Sequence, residues 1–244
     1  MMARMLGRPV VLVLAFLLAG LAGAAVYALV RPAAPGGVSA DAVRAALLER
    51  PEMIPEAMQA LRDRETGKTV AANRAGIVTP FGDAWKGSAN PDVTVVAYMD
   101  YACGYCRQSL PMLDRLIASD PKVRVVFREL PVLSAESRVA AEWSLAAAEQ
   151  GKFRPFHDTL FAGGQLSQGA VDAAIARAGL DRARGAAFVK TPAAEQEISR
   201  NLQTAGQLGM TGTPSWVVGD RVLSGAVTLE AMQDAVKAAR AQRV

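Results

Sequence analysis

Val93-Thr94-Val95-Val96-Ala97-Tyr98-Met99-Asp100-Tyr101-Ala102-Cys103-Gly104-Tyr105-Cys106 decides the fold. Its first seven residues form a β-branched, apolar run, the pattern of a strand buried on both faces. Two cysteines follow at once, and they are the only two in the chain. A strand, a short loop and a helix can hold both sulfurs at the helix's first turn, where they close a disulfide or open to a dithiol. With no third cysteine, neither can belong to a long-range structural bridge.

The chemistry follows from the place of the first sulfur. The thiolate is the nucleophile, and a free cysteine, with a pKa of about 8.5, is mostly protonated at neutral pH. At a helix N-terminus, backbone N–H groups and the positive end of the helix dipole favour the anion. Cys106 lies one turn further in, placed to attack a mixed disulfide formed on Cys103. Cys103 reads as the nucleophile and Cys106 as the resolving thiol. No metal is expected: a zinc site needs more ligands than one pair, and the one histidine, His157, reads as a surface or packing residue.

Working outward, Val123 to Phe127 is a second strand, and the helix between the two runs to about Ser119. Pro131 to about Leu208 carries helical signals, divided by glycines at 151, 163–164 and 179 into about four helices, with Ser134 a candidate cap. Ser215–Val218 and Arg221–Leu223 flank Gly219-Asp220, a hairpin signal. Thr228 then caps a last helix from Leu229 to about Arg240. The order is βαβ, a helical block, then ββα: an α/β chain with one helix-covered sheet and helices inserted between its halves. Thr211-Gly212-Thr213-Pro214 precedes the hairpin. A proline there suits a strand's start, and a cis Thr213–Pro214 bond exposes the Thr213 backbone for pairing with an extended substrate.

The N-terminal end has a different character. Val10 to Val30 is uncharged and follows Arg4 and Arg8, the layout of an export signal or membrane anchor, with Ala22-Gly23-Ala24 a possible cleavage site. Either form leaves the bulk outside the cytoplasm, in a compartment where disulfides persist. The formal charge of +4 is largely this segment's doing: residues 1–31 carry Arg4, Arg8 and Arg31 and no acid, leaving about +1 for the rest. No basic stripe interleaved with aromatics is present, so nucleic acid is not an expected partner. Residues 31–38 read as a Pro/Gly linker. Ser39 caps a helical segment over 39–76, with Val43 and Leu47 in one stripe and Ile54, Met58 and Leu61 in another. It has too few large apolar residues to fold alone, so it packs against its own body or another copy of itself. The main domain is expected over 77–244, with its helical insertion at about 131–208.

A Cys-x-x-Cys after a strand and a Thr-Pro before a late hairpin resemble the thioredoxin fold. The inserted helices, Tyr98-Met99-Asp100-Tyr101-Ala102 before the motif, and Phe127-Arg128-Glu129-Leu130-Pro131-Val132-Leu133 resemble the DsbA family of exported thiol–disulfide oxidoreductases. The resemblance covers roughly 77–244. It implies that Pro214 is a cis-proline facing Cys103, that Thr213 offers main-chain groups to the substrate, and that Gly104 and Tyr105 tune the redox pair. Val43–Glu52 with Glu56–Leu61 is similar to the leader of the ScsC and Com1-like members, in which that segment joins subunits. The Gly-Tyr dipeptide and the threonine before the proline are similar to the DsbC-type isomerases, whereas the strong oxidases carry Pro-His. Many relatives have an acid six residues before the first cysteine. Ala97 stands there in this chain, which leaves Asp100 as either a proton relay or a surface or turn residue.

The remaining signals read as structure. Trp85, Trp143 and Trp216, and the methionines Met53 and Met58, are expected to pack, while Tyr105 either contacts clients or fills space between the sulfurs. There is no Ser-His-Asp set and no phosphate-cradling glycine loop. The expected function is exchange of disulfides with protein clients in the periplasm, soluble or anchored through residues 10–30, leaning to isomerase or reductase. It needs no cofactor and draws redox equivalents from a membrane partner. The alternatives are a monomeric dithiol oxidase, or a client-holding or copper-binding module that uses the dithiol as a soft ligand pair.

Overall fold

A computed structural model describes residues 7–30 and 39–242. The linker expected at 31–38 lies outside them, as do the first six residues. The chain divides into two compact units, Met1–Ala57 and Met58–Val244.

In the first unit, Gly7–Val30 forms helix α1. Counting only the side chains that are described, which run from Leu12 to Tyr27, no helix is long and apolar enough to cross a membrane. Helix α2 (Ala40–Glu49) starts where expected, with Ser39 Oγ accepting from Ala42 N at 3.1 Å. None of its residues is buried. Helix α3 (Met53–Val78) continues through Met58 into the second unit, so the boundary between compact units falls within it rather than near residue 77. Met53 and Met58, expected to pack, are exposed.

The second unit is built on one five-stranded sheet. Strands β2 (Val93–Met99) and β3 (Val123–Glu129) pair in parallel, joined by helix α4 (Gly104–Ser119). Strand β4 (Ser215–Val218) lies antiparallel to β2 and turns into β5 (Arg221–Ser224). A three-residue strand β1 (Trp85–Gly87), absent from the sequence reading, pairs antiparallel with β3 and completes the order β1-β3-β2-β4-β5. Three residues are too few to show a period.

Alternate residues of the two central strands feed two cores, which is why Val95–Met99 and Val125–Phe127 are apolar without a break. Val95, Ala97, Val125 and Phe127 pack with Leu113 and Leu116 of α4 and with Met232 and Val236 of α10 (Leu229–Ala241). Val96, Tyr98 and Val126 pack on the other side with Val70 and Ile77 of α3 and with Leu208. The second half of α3 is therefore part of this unit's own core. Asp63 pairs with Arg221 at 3.1 Å, and Arg74 with Asp220.

The inserted block holds five helices, one more than expected: α5 (Ala135–Glu149), α6 (Phe153–Ala162), α7 (Gln168–Ala178), α8 (Arg182–Phe188) and α9 (Pro192–Gln207). The short α8 between Asp181 and Val189 is the addition. Ser134 and Thr228 cap α5 and α10 as their types predict. Helix α6 brings Phe153, Phe156, Leu160 and Phe161, and α7 brings Val171 and Ile175, into the same core as both cysteines. Trp216 is fully buried and donates to Gly225 O at 2.8 Å, while Trp85 carries Arg124 over its ring.

Candidate active site

Cys103 is the N-cap of α4. Its backbone is extended, and its own N–H closes a turn onto Asp100 O at 3.0 Å. Cys106 N–H donates to Cys103 Sγ at 3.2 Å, so one orphan donor of the helix start is spent on sulfur. The thiol donates in turn to Thr213 O, also at 3.2 Å. The Thr213–Pro214 peptide is cis. Residues 110 apart in sequence thus meet at one atom. Both cysteines are free thiols.

The two sulfurs have different surroundings. Cys103 keeps 6% of its surface exposed and Cys106 none. Burial pushes the Cys106 thiol up, well beyond the ordinary cysteine range, while the Asp100 main chain and the Thr213 hydroxyl pull the other way. Thr213 Oγ1 is buried and has no hydrogen-bond partner among the described residues. It is thus a donor in reserve for a Cys106 thiolate. Gly104 opens the helix with an exposed backbone, and Tyr105 stands 64% exposed. The expectation that Tyr105 fills space between the sulfurs is not met.

Asp100 is buried, and its carboxyl oxygens are spent on the loops. Oδ1 accepts from Ala102 N at 2.8 Å, and Oδ2 accepts from Val132 N and Leu133 N at 2.9 and 3.0 Å. These bonds clamp the Cys103 loop to the turn after β3, the turn role rather than the relay. Val132 and Leu133 are held there half exposed, 50% and 53%. On the other side, Arg107 donates to Phe161 O at 2.7 Å and to Gly164 O, tying α4 to the α6–α7 turn. Arg128 is buried beneath the sheet, paired with Glu197 and donating to the carbonyls of Gly76, Ile77 and Thr79 at the end of α3.

Sequence reasoning passed over Tyr101, Glu129, Ser144 and Arg107, because their partners lie in other elements. Of the two readings of His157, surface or packing, the second holds: it is buried, with Nδ1 at 3.0 Å from Tyr101 Oη. Among the described residues no group of three or more His, Cys, Asp or Glu side chains could hold a metal ion.

A Cys-x-x-Cys at the start of a helix, facing a cis-proline on a mixed sheet with inserted helices, defines a thioredoxin-fold protein with a dithiol site. The model of the DSBA-like thioredoxin domain matches residues 94–237, and the chain belongs to that family. A Na(+)/H(+) antiporter NhaA 3 from Salinispora tropica is 33% identical over 165 residues, covering 66% of this chain. This chain spans about a quarter (25%) of that protein's length. Among solved structures, a thioredoxin-like oxidoreductase from Silicibacter pomeroyi is similar at a TM-score of 0.65 and 36% identity, over 70% of this chain and 99% of that one. A linker-deletion mutant of Proteus mirabilis ScsC matches 86% of this chain and 100% of its own, at a TM-score of 0.66 and 23% identity, a likeness of fold alone.

Proposed function

We propose that this chain is a periplasmic oxidoreductase that reduces or isomerises disulfides in protein clients. The reading is carried by Cys103 Sγ, set between a main-chain donor and the Thr213 carbonyl at 3.2 Å each. The Cys103 thiolate attacks one sulfur of a client disulfide; a bond forms to Cys103 and the other client sulfur leaves as a thiolate. In isomerisation, that or another client thiolate attacks the mixed disulfide, and Cys103 leaves as the thiolate again. In reduction, Cys106 gives up its proton and attacks Cys103 Sγ, forming the Cys103–Cys106 disulfide and releasing the reduced client. Two electrons pass to the client, and a membrane dithiol partner restores them.

Gly104-Tyr105 and Thr213-Pro214 support the isomerase lean through their likeness to the DsbC type. The exposed Tyr105, Val132 and Leu133 support a protein client, since they surround the site with apolar surface that an unfolded chain can cover. Val43, Leu48, Ile54, Met58 and Leu61 are large, apolar and exposed, which supports self-association through 39–76. The N-terminal segment supports export, with residues 10–30 either removed or kept as an anchor.

Refolding of a client with scrambled disulfides tests the activity: recovery above a Cys103→Ser control is expected, and none above it overturns the reading. Light scattering on residues 38–244 and 58–244 tests association. The longer form is expected to be the larger assembly, and two monomers end that part of the proposal.

A further inference from the structure

Four polar side chains are buried together behind the Cys103 loop. Tyr101, two residues before Cys103, sends its hydroxyl into the core. Oη lies 2.9 Å from Ser144 Oγ on α5, 3.0 Å from His157 Nδ1 on α6 and 3.4 Å from Glu129 Oε1 at the end of β3. Ser144 Oγ donates to Glu129 Oε1 at 2.7 Å. Around them stand Phe127, Phe153, Phe156 and Phe161, ring against ring. Burying polar groups in such a place is costly unless each is satisfied, and thiol exchange at Cys103 and Cys106 needs none of them as a reactant.

The donors can be counted. Ser144 has one hydroxyl proton and gives it to Glu129, so its oxygen accepts the Tyr101 proton across 2.9 Å, with Glu129 Oε1 a longer second acceptor at 3.4 Å. The Tyr101 oxygen then accepts from His157 Nδ1–H. The chain runs one way, His157 to Tyr101 to Ser144 to Glu129, and ends on a carboxylate. A protonated Glu129 is itself a donor, and the direction through Ser144 and Tyr101 is no longer imposed. Tyr101 lies inside the turn from Asp100 O to Cys103 N, so what moves its ring moves Cys103. The two 3.2 Å contacts of the sulfur then change with it.

We propose that Tyr101 and Glu129 are positioning residues for Cys103, and that the proton on Glu129 sets the direction of the hydrogen bonds through Tyr101 and with it the rate of thiol exchange. This rests on the exchange activity proposed above. The surroundings put that proton in a useful range. Burial, with the Asp100 charge added, raises Glu129 to about 8 against the bonds from Ser144 and Tyr101. Tyr101 and His157, which share its network, are both held neutral there. Burial drives the Tyr101 hydroxyl well above its ordinary value, helped by Glu129 and Asp158. Burial, with Lys86, drives His157 down to about 3, so its ring is neutral. Asn201 from α9 donates to the Glu129 carbonyl at 3.2 Å. Arg128 and Glu197 lie on the other face of the sheet, since residues 128 and 129 alternate.

The rate of Cys103 alkylation by iodoacetamide, measured from pH 6 to 9.5 on the full reduced chain, tests this. The wild-type profile is expected to fall about fivefold below a single-thiol curve above pH 8, a coupling at the low end for linked sites. Glu129→Gln and Tyr101→Phe should both restore the single-thiol shape. A purely structural role lowers the melting temperature of both variants and leaves the two-step profile in place. Superimposable wild-type and Glu129→Gln profiles overturn the proposal. A readout on the wild type alone covers variants that fail to fold: the infrared band of a protonated buried carboxyl should disappear between pH 7 and 9, and a band already absent at pH 6 overturns it too. Alkylation needs no client, so a failed refolding assay with a two-step alkylation profile sinks the activity and leaves the positioning intact.

Discussion

Asp100→Ala separates the two roles that the sequence left open for this acid. The carboxyl group accepts three main-chain N–H bonds, one from the Cys103 loop and two from the turn after β3. A hydrogen bond to a charged acceptor contributes about 1.5–3 kcal/mol, and a buried donor left without a partner costs a similar amount. Ala102, Val132 and Leu133 belong to exposed or half-exposed residues, so water can replace part of what is lost. The net loss is then roughly 2–4 kcal/mol, and for a chain of this size each kcal/mol lowers the melting temperature by about 2–4 °C. Thermal unfolding followed by circular dichroism should therefore show a drop on the order of 5–15 °C. Asp100→Asn should recover little of it, because one acceptor oxygen becomes an N–H₂ that faces N–H donors. The pH profile of exchange with a small aromatic disulfide should keep its inflections in both variants, since the amides already take both oxygens, with the Glu129 step moving to lower pH as the Asp100 charge is removed. An unchanged melting temperature together with a lost inflection in that profile refutes the clamp and restores the relay.

Three further outcomes follow from named contacts. His157 is held neutral by burial down to about pH 3, whereas an unfolded histidine charges below about 6.5, so its contribution to stability is present above pH 6.5 and lost as pH falls towards 3. Glu129 has the opposite sign: raised to about 8, it contributes fully below about pH 4.5 and the contribution fades as pH rises through 8. Melting temperatures from pH 4 to 9 should fall at both ends, His157→Gln flattening the acid side and Glu129→Gln the alkaline side. Gly185→Ala should destabilise by about 1–3 kcal/mol in urea unfolding, because an added Cβ runs into the Trp143 ring; no shift in midpoint means that α8 slides away from Trp143 freely. Cys106→Ala should accumulate a mixed disulfide with a client, visible by mass on a non-reducing gel, and a variant that clears clients as fast as the wild type removes Cys106 from the resolving role.

Much of the architecture was legible because it is local. A β-branched and apolar run such as Val95–Met99 has no polar face to turn to water and is buried on both sides, and Ser39, Ser134 and Thr228 each carry a cap within three residues of the N–H they serve. The cysteine spacing is equally local, since three residues on a helix bring Cys106 N–H to Cys103 Sγ. Strand β1 was not legible, because its three residues become a strand only when Val126 offers an edge to Trp85. The extent of α3 inside the body also escaped, since Val70 and Ile77 look like isolated apolar residues until the sheet supplies Val96, Tyr98 and Val126 beneath them.

The sequence by itself determined that two sulfurs share the first turn of a helix behind a buried strand, because short-range geometry admits little else. Only the tertiary structure decided what surrounds them. Thr213 reaches Cys103 across 110 residues, and Tyr101, Glu129, Ser144 and His157 come from separate parts of the chain to bond with one another in an aromatic-lined core. Each of those four is polar or titratable and carries no mark of its buried partners in a linear pattern, since hydropathy records what a side chain prefers in isolation and not which partners folding will bring to it.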